Sequence, residues 1–162
     1  GENGALVSAL ITATIPGVPL IYNGQEYGDT TNISLFEKQT IKKDTSDERG
    51  KKFYAFYKKL FNFRKNSLAL RRGEMIKAIT TNDDKVYAFW RRFDNETVLV
   101  IANLSNWGVT TKLKIDDVLK KKIINGTVKF YDVFEGKNFV MRVDDFTNFK
   151  LEPFEFKLLS IN

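Results

Sequence analysis

Pro16-Gly17-Val18-Pro19-Leu20-Ile21-Tyr22-Asn23-Gly24-Gln25-Glu26-Tyr27-Gly28 holds two of the chain's three prolines, and its reading decides the fold. Between the Pro-Gly break and the glycine-rich end lies Val18 to Tyr22, a continuous apolar run. It is too short for a helix and has the length of a strand buried on both faces. Ala5 to Ile15, apolar at nearly every position, leads into it and reads as a helix buried on more than one side. The order is helix, break, buried strand, polar loop. This is the αβ step of a parallel α/β architecture, in which function sits in the loop after the strand. No second parallel strand is evident downstream, so the chain reads as a piece of something larger.

Outward from this stretch, Asp29 to Gly50 is polar and aperiodic and reads as a long loop. Ser46-Asp47-Glu48 then opens a helix, with Ser46 or Asp47 as cap and the acidic side chains suited to its N-terminal end. Phe53, Phe56, Tyr57, Leu60, Phe61 and Phe63 follow helical spacing, with most lysines on the opposite side. The helix is expected to stop near Asn66-Ser67.

From Gly73 the pattern becomes strand-like. Glu74 to Thr80, Lys85 to Phe93, Thr97 to Leu104, Val109 to Ile115, Thr127 to Val133, Asn138 to Val143 and Phe154 to Ile161 are the expected strands. Asp94-Asn95-Glu96 makes a hairpin of the second and third, and Gly108, Asn125-Gly126 and Glu135-Gly136 punctuate the rest. The expected fold class is an α+β fragment: residues 1–72 of α/β character, then residues 73–162 as an antiparallel β-sandwich.

Composition narrows the chemistry. The 162 residues are 43% hydrophobic and include 14 Phe, enough for a real core. No apolar run approaches the roughly 18 residues of a membrane span, so no membrane partner is expected. There is no Cys and no His, which removes disulfides, thiolate nucleophiles, Ser-His catalysis and the commonest metal ligands. No cofactor is expected. The net charge of +6 is spread over pairs such as Lys42-Lys43, Lys51-Lys52 and Arg91-Arg92, with acidic residues between, and reads as solvated surface rather than a nucleic-acid site. Localisation stays open.

Three stretches together resemble the C-terminal end of the α-amylase superfamily, glycoside hydrolase family 13. Pro16 to Glu26 is similar to the segment at the eighth barrel strand: Gly-x-Pro, an apolar Tyr-bearing strand, then Gly-x-Glu. Arg64-Lys65-Asn66-Ser67-Leu68-Ala69-Leu70-Arg71-Arg72-Gly73 resembles the run that closes the last barrel helix. Leu151-Glu152-Pro153-Phe154-Glu155-Phe156-Lys157-Leu158-Leu159 resembles the final strand of the C-terminal domain. The resemblance implies a (β/α)8 barrel of which Ala5 to Ile15 is the seventh helix, Val18 to Tyr22 the eighth strand and Asp47 to Asn66 the eighth helix. It also implies retaining cleavage or transfer of α-glucosidic bonds by carboxylates that lie upstream of Gly1. On this expectation the catalytic residues are absent here, and the chain alone is an inactive, accessory part of an enzyme acting on starch or maltooligosaccharides.

Several residues remain as site candidates. Glu26, with Gln25, is placed near the substrate cleft, or holds the strand–loop junction; the second reading is preferred because the family's catalysis is already assigned elsewhere. Tyr22 is expected in the core, and Gly17 and Gly24 in tight turns. Asp44, Asp47 and Glu48 offer oxygen ligands but lack the alternation of a calcium loop, so capping is the simpler account and no metal is expected. Trp90, Tyr87 and Phe89 divide between the two faces of a strand, one of them core. Trp107 sits in a turn and is the better candidate for stacking on sugar, although packing is preferred for it too. The competing function is a carbohydrate-binding module for α-glucans. Unpaired barrel elements are expected to pack against the β region or against a second copy of the chain.

Overall fold

The structure, a computed structural model, describes residues 1–162 except 33, 35, 42, 145–147 and 162. Lys42, named above among the basic pairs and in the long loop, lies outside the described residues. Helix α1 spans Glu2–Thr14 and stops before Pro16, whose ring disfavours helical geometry in the residue ahead of it. Its buried face is wide, with Leu6, Val7, Ala9, Leu10, Ala13 and Thr14 inside and Ala5, Ser8 and Thr12 left as one open stripe. Helix α2 spans Glu48–Asn66; the Asp47 carboxylate accepts from Gly50 N–H at 2.6 Å, and Phe53, Phe56, Tyr57 and Leu60 are buried. Helix α3, Leu68–Arg72, follows at once, with the Ser67 hydroxyl as its cap.

The strands are β1 (Glu74–Lys77), β2 (Val86–Phe93), β3 (Glu96–Asn103), β4 (Val109–Thr111), β5 (Thr127–Asp132), β6 (Lys137–Arg142), β7 (Phe149–Leu151) and β8 (Phe156–Ile161), with a short helix α4 at Asp117–Lys120. Six of them form one antiparallel sheet in the order β1-β2-β3-β8-β5-β6, while β4 and β7 pair separately. Asp94 and Asn95 close the β2–β3 hairpin, with Asp94 at φ 49°.

Register explains the layering. Trp90 pairs with Leu99 and Leu99 with Leu159, so these three share one face. That face packs against Val109, Leu113, Leu119, Phe149 and Leu151 from the β4–β7 side. Phe89, Val100 and Leu158 share the other face, which packs against Leu6, Leu10, Phe53, Phe56, Leu60 and Leu70 of the helices. The large sheet is therefore the middle layer, with helices on one side and a two-stranded sheet plus α4 on the other. The expected packing of the helices on the β region is present.

Four expectations change. Val18 to Tyr22 forms no strand: Val18 is 97% exposed, Leu20 81% and Tyr22 63%, so Tyr22 is not core. A continuous apolar run is buried only when a neighbour covers it, and every strand pairing among the described residues is antiparallel and lies elsewhere. The sandwich is uneven, six strands facing two. Both faces of β2 are covered, so Trp90 and Phe89 are packed as preferred, but Arg91, read above as part of a solvated basic pair, is buried at 1% exposure because its strand position faces the helices. Finally, α4 and β7 were not expected. They are elements of four and three residues, too short to establish a period.

Candidate functional site

Two arginines hold the C-terminal end of α1, and one of them also reaches the segment after it. Arg64 on α2 donates to the carbonyls of Ala13 (2.8 Å), Leu70 (2.8 Å) and Gly17 (2.7 Å). Arg91 on β2 donates to those of Thr14 (2.5 Å) and Gly73 (2.7 Å). Ala13 and Thr14 lie in the last turn of α1, where carbonyls lack intrahelical partners and carry the negative end of the helix dipole. Two cations answer that end. Burial, and repulsion from Arg71 for Arg64 and from Arg64 for Arg91, push both guanidinium pKa values down from the usual arginine value.

Beyond Gly17 the chain leads to a 3₁₀ turn, Gln25–Tyr27, flanked by Gly24 at φ 93° and Gly28 at φ 66°. A Cβ at Gly24 would collide with Ile41, so glycine is required there twice over. The Gln25 side-chain oxygen accepts from Tyr22 N–H at 3.1 Å, and the Glu26 carboxylate accepts from Gly24 N–H at 3.1 Å. Both site candidates thus close their own turn. The Tyr57 phenol of α2 lies against them. Burial raises its pKa to about 12, partly opposed by its hydrogen bond with Gln25 and supported by the charge of Glu26.

A pH dependence follows from Tyr57. Its folded pKa lies above the unfolded value near 10, so the neutral phenol is the form the fold prefers. The associated stability is complete below pH 10 and is lost as pH rises toward about 12. An ultraviolet titration of wild type and Tyr57→Phe should show one phenol, missing in the variant, that ionises late and together with unfolding. Ionisation of that phenol near pH 10 in a folded chain would contradict the assignment.

The turn borders two cavities. One, of 310 Å³, is lined by polar groups including Asp29, Thr31, Asp44, Asp47 and Arg49. The other, of 440 Å³, is lined by Tyr27, Lys43, Thr45, Lys51 and Tyr54. Tyr27 lines both, and its ring stacks on Tyr54 at 5.7 Å and 20°. Sequence reasoning named neither tyrosine as a site residue. The available signal was Tyr54 itself, an aromatic standing on the lysine-bearing face of a helix.

The other candidates fall elsewhere. Trp107 is 70% exposed in the loop between β3 and β4 and lines neither cavity beside Glu26. Trp90 donates its indole N–H to Asp116 at 2.7 Å, and Asp116 in turn caps α4. Tyr87 packs beside Phe89 on the helix-facing side of β2. Asp44 accepts from Ser46 N–H and Asp47 caps α2; among the described residues no group of three or more acidic residues is arranged to hold a metal ion. No described helix is long and apolar enough to cross a membrane.

A family model described as the maltogenic amylase C-terminal domain matches residues 76–158, from β1 into β8. The chain belongs to this family. A cyclomaltodextrinase of Geobacillus thermopakistaniensis is 34% identical over 109 residues, which is 66% of this chain and 18% of that protein. The maltogenic α-amylase AmyB of Thermotoga neapolitana superposes with a TM-score of 0.78 at 21% identity, over 98% of this chain and 36% of its own. A variant of AmyP in complex with maltotriose superposes with a TM-score of 0.77 at 18% identity, over 99% and 35%. This chain therefore spans about a fifth of the cyclomaltodextrinase and about a third of the two solved chains. It corresponds to the C-terminal portion of α-amylase-superfamily proteins, and the fold of its maltogenic amylase C-terminal domain is that of its neighbours.

Proposed function

We propose that the chain is the C-terminal portion of a retaining, α-glucan-active glycoside hydrolase and serves it as a structural, accessory unit. The observation that carries this reading is the apolar segment Val18 to Tyr22, with Val18, Leu20 and Tyr22 exposed, set between two helices ahead of the family's own domain. Residues 1–72 then form the end of a (β/α)8 barrel: α1 is its seventh helix, α2 its eighth helix, and Val18 to Tyr22, which forms no strand here, is the segment that pairs as its eighth strand in the whole barrel. Parallel neighbours from the remainder of the barrel cover the exposed side chains. Residues 73–162 form the appended β domain, which shares one core with α1, α2 and α3 and so supports the barrel's last turn.

On this reading the parent enzyme acts on starch or maltooligosaccharides, with a nucleophilic and an acid/base carboxylate about 5 Å apart in the remainder of the barrel. Glu26 and Gln25 shape the strand–loop junction near its cleft. The chain alone is expected to release no reducing sugar from starch or maltoheptaose above a buffer control. Turnover by the purified chain, abolished by no change outside it, would overturn the assignment of chemistry to the missing barrel.

A further inference from the structure

We propose that Tyr27 and Tyr54 form a stacking subsite for a glucosyl unit of an α-glucan, which rests on the α-glucan reading above. The rings come from the 3₁₀ turn and from α2, and they stack at 5.7 Å and 20°. Tyr54 is 42% exposed, whereas its neighbours Phe53, Phe56 and Tyr57 are buried. The core therefore does not require this ring. Both rings line the 440 Å³ cavity together with Thr45 and Lys43, and that volume lies in the range of about 300–1,000 Å³ common to small-molecule sites.

The chemistry of the walls selects the ligand class. A pyranose presents an apolar C–H face and a rim of hydroxyls, so it needs a flat aromatic surface beside mixed donors and acceptors. Tyr27 and Tyr54 supply the surface. Thr45 and Lys43 line the same cavity, and on the other side of Tyr27 lie Thr30, Thr31, Asp47 and Arg49. The charged residues of this cavity are Lys43 and Lys51, the latter paired with Glu48 at 2.8 Å, while Asp29, Asp44 and Asp47 line the cavity on the other side of Tyr27. Hydroxyl and ammonium donors beside the two rings suit the hydroxyl rim of a polyol. The platform is also preorganised: Gln25 and Glu26 close the turn that carries Tyr27, and Gly28 packs on Phe53 and Arg49.

The test is a titration of the whole chain with maltoheptaose, followed by amide chemical shifts. Shift changes should cluster on residues 24–31 and 43–54. Tyr54→Ala and Tyr27→Ala should each weaken binding about tenfold or more, as loss of an aromatic anchor does, while Trp107→Ala should leave it unchanged. Circular dichroism of Tyr54→Ala should match wild type, since the ring is exposed. Unchanged affinity in Tyr54→Ala, or shifts centred on Trp107, would overturn the subsite and leave the α-glucan reading standing. Shifts at the tyrosine pair with cellohexaose but none with maltoheptaose would overturn the α-glucan reading itself. Absence of shifts with either sugar at tens of millimolar would overturn the subsite alone, because the enzymatic reading is tested by the sugar-release assay.

Discussion

Arg91→Ala should destabilise the chain by about 4 kcal/mol in equilibrium urea unfolding, the largest effect expected of a single substitution here. Arg91 is 1% exposed, on the helix-facing side of β2. Its guanidinium reaches Thr14 at the end of α1 and Gly73 at the entry to β1. Alanine leaves both carbonyls without this donor and opens a cavity between the sheet and α1. Hydrogen bonds to a charged group contribute about 1.5–3 kcal/mol each. Relief of the guanidinium's burial offsets part of that loss. Its Nε is buried with no hydrogen-bond partner, so the side chain already carries some uncompensated burial.

Two further variants separate the contributions. Arg91→Met restores much of the volume and isolates the hydrogen bonds, with an expected loss of about 2 kcal/mol. Arg91→Lys keeps the charge but places one ammonium where two separated donors stood, and should recover only part of the stability. A methionine variant as stable as wild type, within about 0.5 kcal/mol, would show that packing alone holds α1 to the sheet. Because the interaction is buried, the loss should change little with added salt.

The second large effect is expected at Asn103, at the end of β3. Its amide is wholly buried and donates to the carbonyls of Trp107 (2.6 Å) and Glu152 (3.0 Å). Its oxygen accepts from Ser105 N–H (3.0 Å) and from the Ser105 hydroxyl (2.7 Å). One side chain thus ties the β3–β4 loop to the residue that follows β7. Asn103→Leu, close in volume, should cost about 3 kcal/mol, because it strands several buried polar groups at once. Asn103→Asp should also destabilise, since a carboxylate has no donor for the two carbonyls it would face. Burial among carbonyls raises the pKa of the introduced carboxyl above its unfolded value. That variant should therefore regain stability as pH falls, opposite to a salt-bridged acid. Thermal melts of the two variants at pH 4 and pH 7 check the sign.

How far the fold was legible depended on the length of each pattern. The aromatic spacing from Phe53 to Leu60 announced α2, and the Asp47 cap marked its start to within one residue. The β-branched runs around Tyr87 and Leu99 announced β2 and β3, and the hairpin turn fell where Asp94 and Asn95 stand. The Asp116-capped α4 and the three-residue β7 left no readable period. Gln25 and Glu26 were singled out from a local glycine-rich motif, and they close the turn that carries Tyr27. Tyr27 and Tyr54 were not singled out, since they meet only because α2 packs on the turn that carries Tyr27.

The opening run from Pro16 to Gly28 separates what the two levels decide. By itself the sequence determined where elements break, which faces are apolar and which chemistries are impossible without His or Cys. Those properties are local: they follow from proline and glycine geometry, side-chain periodicity and residue type. Only the tertiary structure decided that both faces of the central sheet are covered, that two arginines close the end of α1, and that Val18, Leu20 and Tyr22 stand uncovered. An apolar run records a need for burial, but its neighbour comes from a distant part of the chain or from outside it. No local pattern specifies that neighbour.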